Sequence, residues 1–308
     1  LRDRVREAAE KLNYRPNAAA LSMKTRQFRQ VGVILPDNTH RPKQKFRQHM
    51  GELLAGINLA LETADFSAVI AHVGSIDANR SSFGRILRHN LLDATLVLGN
   101  LPTGILQKVE QLTDCTIIVE SNRFEATNCI RRDERAAGRL AATKAIEAGY
   151  DRFVWFQSSK TPDNVRHFSE QHRVDGVMEV AAENGVMVGR SGPVGWEWDP
   201  AEEQAFFDTL TPKTAVLCYD TPHVRWLAAA CLRRGARPGT DFGLACCDDI
   251  HEFEYTWAEL SRVEFDRFHL GKRAGEMLLE QLETGKSQTS CTVAGDWIPG
   301  TTLRPINT

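Results

Sequence analysis

The chain has 308 residues, 42% of them hydrophobic, and a formal net charge of −2 at pH 7. That length and apolar content suffice for two lobes, each with its own core. No apolar run is long enough to span a membrane and no charged-then-apolar signal segment opens the chain, so we expect a cytoplasmic protein. Because residue 1 is Leu rather than Met, we interpret the sequence as a fragment.

The first 30 residues form a basic arm. They hold eight Lys and Arg against three acidic residues, a net charge of +5, and since the whole chain carries −2 the remainder carries −7. A basic arm on an acidic body suits a module that binds a polyanion. A solvated N-terminal helix would also account for this charge.

Two helices are predicted within the arm. Residues 2–12 place apolar side chains at helical spacing on one face, namely Val5, Ala8, Ala9 and Leu12. A second, short helix is predicted over 17–24, where Asn17 can cap the first turn and Pro16 marks the start. The alanines at 18–20 would let this helix approach a backbone or a groove closely.

The region around the second helix resembles the hinge of the LacI/GalR family of bacterial transcriptional regulators. The resemblance rests on Tyr14-Arg15-Pro16-Asn17, on Ala20, Ser22 and Met23, and on the strand VGVILPD (31–37) at the usual distance. It implies that residues 1–30 are the C-terminal part of a helix-turn-helix headpiece plus a hinge helix, without the helix that reads the major groove.

The same resemblance implies that the hinge enters the minor groove of operator DNA. The hinge residues that would contact DNA are Asn17, Ala20, Ser22, Met23 and Lys24. Family members usually carry Leu where this chain has Met23. Methionine can also wedge between base pairs, although it could instead pack against a partner helix.

From residue 31 onward, apolar strands alternate with amphipathic helices. The first set of predicted strands covers 31–35, 67–73, 94–98 and 115–119, with helices near 46–64, 81–90 and 102–113. The pattern restarts with a helix over 133–149, continues with strands at 152–156, 186–194, 214–219 and 242–247, and ends with a helix over 267–284 and strands at 291–298 and 301–304. Such alternation indicates parallel sheets covered on both faces, and the number of units favours an α/β fold of two doubly wound lobes.

The resemblance implies how the chain divides between these lobes. It predicts an N-terminal core lobe from 31–157 and 267–290, and a C-terminal core lobe from 158–266 and 291–308. The arrangement would be that of a periplasmic-binding-protein-like core of type I, with an effector cleft between the lobes.

Independently of any family, ligands of open parallel sheets bind beyond the carboxyl ends of the strands. Polar groups follow several predicted strands at that end, among them Asp37, Asp220 and Asp248. The two lobes would face each other across these groups, which predicts a binding cleft there.

By resemblance, effector contacts map to Arg173 in the segment QHRVDGVMEVAAENG, to Asp220 and Asp248, and to Trp198. Further candidates are Phe265 at a lobe crossing, Asp37 and Asp133. Arg173 would offer a planar fork of donors, the two aspartates would accept from hydroxyls or an amine, and Trp198 would offer a flat apolar face. The structural alternatives are a surface ion pair for Arg173, helix N-caps for Asp220 and Asp133, and lobe core for Trp198.

The segment 37–50 is longer than is usual in the family and is basic. Its cations are His40, Arg41, Lys43, Lys45, Arg47 and His49, against the single acid Asp37. It could reach over the cleft and favour an anionic effector such as a sugar acid or sugar phosphate. We favour the alternative, a solvated loop.

The seven cysteines form no C-x-x-C pair, and no His spacing suggests zinc. We therefore expect buried reduced thiols, with no metal and no cofactor. No G-x-G-x-x-G follows the first strand, and neither a P-loop nor a G-x-S-x-G elbow is present, so we do not expect an enzyme.

The sequence thus predicts a homodimeric DNA-binding transcriptional regulator, a repressor, controlled by a sugar or sugar derivative bound between two lobes. The sequence does not distinguish this dimer from a tetramer. The alternative is a periplasmic-type sugar-binding receptor without DNA binding. The basic hinge and the seven thiols argue against that receptor.

Overall fold

Two six-stranded sheets form the framework of the protein. The structure, a computed structural model, describes residues 2–14, 27–37, 47–74, 91–158, 167–193, 198–248 and 259–306. The predicted DNA contacts of the hinge lie outside these residues, as do the predicted helix near 81–90 and most of the basic segment 37–50. Within the described ranges, no helix is both long enough and apolar enough to cross a membrane.

The described elements, in chain order, are α1 (Arg2–Lys11), β1 (Gln30–Asp37), α2 (Arg47–Thr63), β2 (Ser67–Gly74), β3 (Ala94–Leu98), α3 (Thr103–Glu110), β4 (Thr116–Val119), β5 (Cys129–Arg132), α4 (Glu134–Glu147), β6 (Arg152–Phe156), α5 (Phe168–Glu183), β7 (Met187–Ser191), α6 (Pro200–Asp208), β8 (Thr214–Cys218), α7 (Thr221–Arg234), β9 (Gly243–Cys246), β10 (Ser261–Glu264), α8 (Arg267–Thr284), β11 (Cys291–Val293) and β12 (Asp296–Ile298). The strand predicted at 301–304 is wrong. That segment is irregular, although Thr302 accepts a hydrogen bond from the Leu244 amide at 2.7 Å.

The first sheet has the order β11-β5-β4-β3-β1-β2, and its strand pairs are all parallel. One face packs on α2 and α8 through side chains such as Ile57 and Leu270. The other face packs on α3 through Ile105 and Val109. Because both faces are covered, the central strands are apolar runs instead of alternating, and β3 is buried at every position.

The second sheet has the order β12-β10-β9-β8-β6-β7, in which β12 runs antiparallel to β10 and the other pairs are parallel. Helices α4 and α5 cover one face through residues such as Ala141 and Val177. Helices α6 and α7 cover the other through Phe206 and Leu227. The predicted fold class, two doubly wound α/β lobes, is confirmed.

The chain crosses between the lobes from β5 to α4, from β10 to α8 and from β11 to β12. These crossings correct two predicted boundaries. The boundary placed after residue 157 is too late, because β6 pairs with β7 and β8 and α4 packs on α5 in the second lobe. The boundary placed before residue 291 is too early, because β11 pairs with β5 in the first sheet and only Ala294 and Gly295 separate it from β12.

In each lobe one helix pair is packed backbone against backbone through two glycines. A Cβ on Gly56 of α2 would lie 2.0 Å from the Phe268 carbonyl oxygen of α8, and one on Gly271 of α8 would lie 2.0 Å from the Leu53 oxygen. The second lobe repeats this arrangement between α4 and α5, where Gly138 faces the Arg173 carbonyl oxygen at 2.0 Å. No other residue type fits at these positions without separating the helices.

The seven cysteines are free, and six of them are buried, Cys291 being partly exposed. Burial raises the pKa of Cys115 and of Cys231 to about 12, which keeps these thiols protonated and unreactive. We expect native protein to react with a thiol-specific chromogenic disulfide at no more than one site, Cys291. Unfolded protein should react at all seven sites, and fast reaction of a second thiol in native protein would contradict the packing.

Candidate functional site

Six buried or nearly buried charged side chains meet between the lobes, where the chain crosses from one sheet to the other. We call them the interlobe network: Glu120, Arg132 and Arg267 from the first lobe, and Glu134, Arg173 and Asp248 from the second. Three guanidinium groups face three carboxylates, so the network is neutral as a whole. Glu120, Arg132 and Asp248 lie at the carboxyl ends of β4, β5 and β9, where open parallel sheets bind ligands.

Arg173 is almost fully enclosed, with 1% of its surface exposed. Its Nε donates to Glu134 Oε2 at 2.5 Å, its Nη2 to Asp248 Oδ2 at 2.9 Å, and its Nη1 to the Tyr219 carbonyl oxygen at 2.6 Å. The Tyr219 ring lies under the guanidinium, 4.6 Å from its central carbon to the ring centroid. Every nitrogen of the fork is therefore engaged by the protein itself.

Arg132 and Arg267 link the two lobes. Arg132 Nη1 donates to Asp248 Oδ2 at 2.8 Å, and its Nε donates to Glu120 Oε2 at 2.6 Å within its own lobe. Its Nη2 lies 3.1 Å from Glu134 Oε1, an oxygen with no aligned hydrogen bond among the described residues. Arg267 donates to the second oxygen of Asp248. Asp248 thus receives three guanidinium groups, two of them from the opposite lobe.

The charges of the network hold one another in the ionised state. Burial alone would raise the pKa of Glu134, but Arg132 and Arg173 lower it below its usual range. Burial alone would lower the pKa of Arg173, but Glu134 and Asp248 raise this pKa well above its usual value. The network therefore keeps its charges at neutral pH, and its desolvation cost offsets much of its Coulombic attraction.

A second set of polar contacts joins the lobes beside the network. His167 Nε2 lies 3.1 Å from the Glu120 carbonyl oxygen, and the Phe168 amide donates to Asn122 Oδ1 at 2.7 Å. The guanidinium of Arg131 lies over the Phe168 ring, 4.5 Å from its centroid. The N-terminus of α5 is thus fixed to the first lobe.

The stability of this contact should depend on pH through His167. Burial lowers the pKa of His167 below its ordinary value, so the unfolded chain binds more protons in that range than the folded one. We expect unfolding midpoints in urea to fall as the pH drops from 7 to 5. His167→Asn can still cap α5 and has no titrating ring, so a variant with an unchanged pH slope would contradict this assignment.

The structure pairs two of the residues predicted for the cleft and gives two others contacts within the second lobe. Arg173 and Asp248 form an ion pair in the network. Asp220 instead caps α7, accepting from the His223 amide at 3.2 Å and contacting the His223 ring. Trp198 packs in the apolar face of the second lobe, stacked on Trp226 at 5.8 Å between ring centroids.

The remaining predicted residues lie near the crossings. Phe265 is buried in the second-lobe core, and the Arg132 guanidinium lies 5.2 Å from its ring centroid. Asp133 caps α4 by accepting from the Ala136 amide at 3.0 Å. Asp37 is the last residue of β1, and its side chain is not among those that the structure describes.

Sequence reasoning missed three members of the network: Arg132, Glu134 and Arg267. The available signal was the charged run Arg131-Arg132-Asp133-Glu134, which spans the end of β5 and the start of α4. Such a run is typical of a solvated loop. Only its position at a lobe crossing turns it into a buried cluster.

The protein has two doubly wound lobes joined by three crossings, and polar groups meet at the strand ends between them. This arrangement is that of a two-lobed core that binds small molecules. The chain belongs to the family of periplasmic binding protein-like domains, whose sequence profile matches residues 142–303, and its core is that of a LacI/GalR family regulator. The predicted family resemblance is confirmed.

Individual relatives agree with this assignment. The HTH-type transcriptional repressor PurR of Vibrio campbellii is 22% identical over 291 residues, covering 91% of this chain and 83% of the relative. A LacI family transcriptional regulator from Enterococcus faecium, solved with bound ribose, superposes with a TM-score of 0.70 at 15% identity, over 90% of this chain and 100% of that one. The lac repressor dimer bound to operator and the anti-inducer ONPF gives 0.72 at 16% identity, over 98% and 90%.

Proposed function

We propose that the protein is a DNA-binding transcriptional repressor whose lobes close on a small polar effector, a sugar or sugar derivative. The observation that carries the proposal is the interlobe network, in which Asp248 of the second lobe holds Arg132 and Arg267 of the first. An effector that changes the spacing of the lobes must act on these contacts. Its differential affinity for the two lobe arrangements would then alter the affinity for operator DNA.

The charge balance of the network points to an uncharged effector. Its three guanidinium groups already face three carboxylates, and each nitrogen of Arg173 already donates one hydrogen bond within the protein. An anionic sugar acid or phosphate would have to displace one of these internal carboxylates, which would leave that carboxylate buried and unpaired. A neutral sugar needs no such exchange, because hydroxyls can donate to carboxylates and accept from amides without altering the net charge.

The proposal draws support from the relatives. One of them is named a transcriptional repressor, one solved neighbour carries ribose, and another is bound to operator. The proposed partners are operator DNA, contacted through the basic arm of residues 1–30, and a second copy of the chain, in the cytoplasm. A catalytic role is not part of the proposal.

The first test is a thermal-unfolding screen of the purified protein against neutral sugars, sugar acids and sugar phosphates. A neutral sugar present at about a hundred times its dissociation constant should add about 2.7 kcal/mol to the free energy of unfolding. The screen is repeated with Asp220→Ser, which can still cap α7 but has no carboxylate at the end of β8. The matched control is Asp151→Ser, at the amino end of β6 on the far side of the sheet.

The neutral sugar should stabilise the parent and the control, and stabilise Asp220→Ser less. Stabilisation by acids or phosphates alone would overturn the charge argument. The regulatory step is tested with the natural gene product. DNA that it binds is selected from a random pool, and its affinity for that DNA is measured with and without the sugar. If the sugar that binds does not change the affinity for the selected DNA, the repressor proposal fails.

A further inference from the structure

The chain's own side chains join the two lobes at several points. In the interlobe network, Arg132 and Arg267 of the first lobe both reach Asp248 of the second. Arg132 is the last residue of β5 and Arg267 is the first residue of α8, so both lie next to crossings between the lobes. A hinge motion at these crossings that parts the lobes would have to break their contacts with Asp248.

Breaking the network would separate charges that are buried together. Asp248 is 5% exposed and would keep only Arg173 of its three guanidinium partners. Arg132 would keep Glu120 and lose both Glu134 and Asp248. Separating buried ionic partners is costly, but water that enters an opening cleft solvates the charges and offsets part of the loss. The ionic contacts alone therefore do not fix the lobes.

A cation on aromatic rings adds a contact of a different kind. The guanidinium of Arg131 lies over the Phe124 ring of its own lobe, 4.1 Å from the centroid, and over the Phe168 ring of the second lobe at 4.5 Å. The Phe168 residue is 8% exposed. Parting the lobes would return apolar ring surface to water and remove one ring from the cation, and a cation–π contact is strongest when it is desolvated.

The start of α5 adds directional contacts. The Phe168 amide donates to Asn122 Oδ1 of the first lobe at 2.7 Å, and His167 Nε2 lies 3.1 Å from the Glu120 carbonyl oxygen. Because the first amides of a helix have no acceptor within the helix, the Phe168 amide depends on the opposite lobe for its hydrogen bond. Asn122 is itself held in the first lobe, where its amide donates to Asn100 Oδ1 at 2.6 Å.

We propose that these contacts form a hinge lock, which joins the lobes in the arrangement described without the help of any ligand. The hinge lock consists of the interlobe network, the contact of Arg131 with Phe168 and the two hydrogen bonds at the start of α5. An arrangement with parted lobes is then the minor one. A ligand that enters the cleft meets lobes that are already joined, and it must work against the hinge lock to change the angle between them.

The test follows hydrogen exchange of the Phe168 amide by NMR in protein without ligand. The Val177 amide, in the middle of α5, is the internal reference for unfolding of the second lobe. In the parent, the Phe168 amide should exchange at least about a hundredfold more slowly than an unprotected amide. Arg132→Met and Arg267→Met each remove one link to Asp248. Each should accelerate exchange at Phe168 about tenfold or more beyond any acceleration at Val177.

Arg135→Met is the matched control, because this exposed arginine pairs with Glu179 inside the second lobe. It should leave both amides as they are in the parent. Exchange of the parent's Phe168 amide at the unprotected rate overturns the proposal. Variants that accelerate the two amides equally, or neither of them, also overturn it.

Should Arg132→Met fail to fold, Arg267→Met provides the comparison, since it leaves Arg132 and Arg173 on Asp248. The measurement on the parent can overturn the proposal by itself. The experiment uses no effector, so its outcome is independent of the sugar screen.

Discussion

Gly56→Ala is expected to destabilise the protein by about 3 kcal/mol or more, at the upper end of what overpacking costs. The new methyl group would lie 2.0 Å from the Phe268 carbonyl oxygen and 2.7 Å from the Lys272 amide nitrogen, both main-chain atoms of α8. Main chain cannot rotate away as a side chain can, so α2 and α8 must separate along their whole contact. Urea denaturation of the parent and the variant measures the loss.

The same helix provides the control. Gly51 also lies in α2, and a Cβ there meets nothing within 4 Å. Gly51→Ala should therefore be neutral or stabilising by up to about 1 kcal/mol, since alanine is the better helix former. If both substitutions shift the denaturation midpoint equally, the close packing of α2 on α8 is not what makes Gly56 necessary.

Arg173→Met should cost about 3–5 kcal/mol, the usual loss when one partner of a buried ionic cluster is removed. Methionine fills much of the same space but leaves Glu134 fully buried, with Arg132 Nη2 at 3.1 Å as its remaining cation. The network would then carry a net charge of −1. Chemical denaturation measures the loss.

Two further variants separate charge from packing. Adding Glu134→Gln to Arg173→Met restores neutrality and should recover part of the lost stability. Arg135→Met, on the exposed side of α4 where the guanidinium pairs with Glu179, should leave the denaturation curve unchanged. A double variant no more stable than Arg173→Met would mean that unpaired charge is not the cause.

The sequence predicts the repeating units of this fold well, because most strands are buried on both faces. It misses β5 and β10 for one reason: each is short and carries charged residues. Strand β5 ends in Arg131 and Arg132, and in β10 the side chains of Arg262 and Glu264 alternate with buried ones. Such patterns are typical of loops, and only pairing with neighbouring strands makes these segments strands.

The site was predictable in part for a similar reason. Arg173 was reached through resemblance, Asp248 through resemblance and through its place at a strand end, and the structure pairs them. Asp220 has a strong local role as the N-cap of α7, which no pattern of residue types distinguishes from a role in binding. Arg267 and Glu134 come together only because two chain crossings meet at one place, and the order in which the chain crosses is not encoded in any local spacing.

The discontinuity of both lobes has a consequence for the order of events on the ribosome. The first sheet is complete only with β11, and its covering helix α8 is made more than two hundred residues after α2, its packing partner. The second sheet waits for β12, the last strand among the described residues. Neither core can therefore close during synthesis until the end of the chain has emerged, and folding is largely post-translational. Nascent chains stalled before residue 267 should be protease-sensitive throughout, even though most of both sheets has already been made.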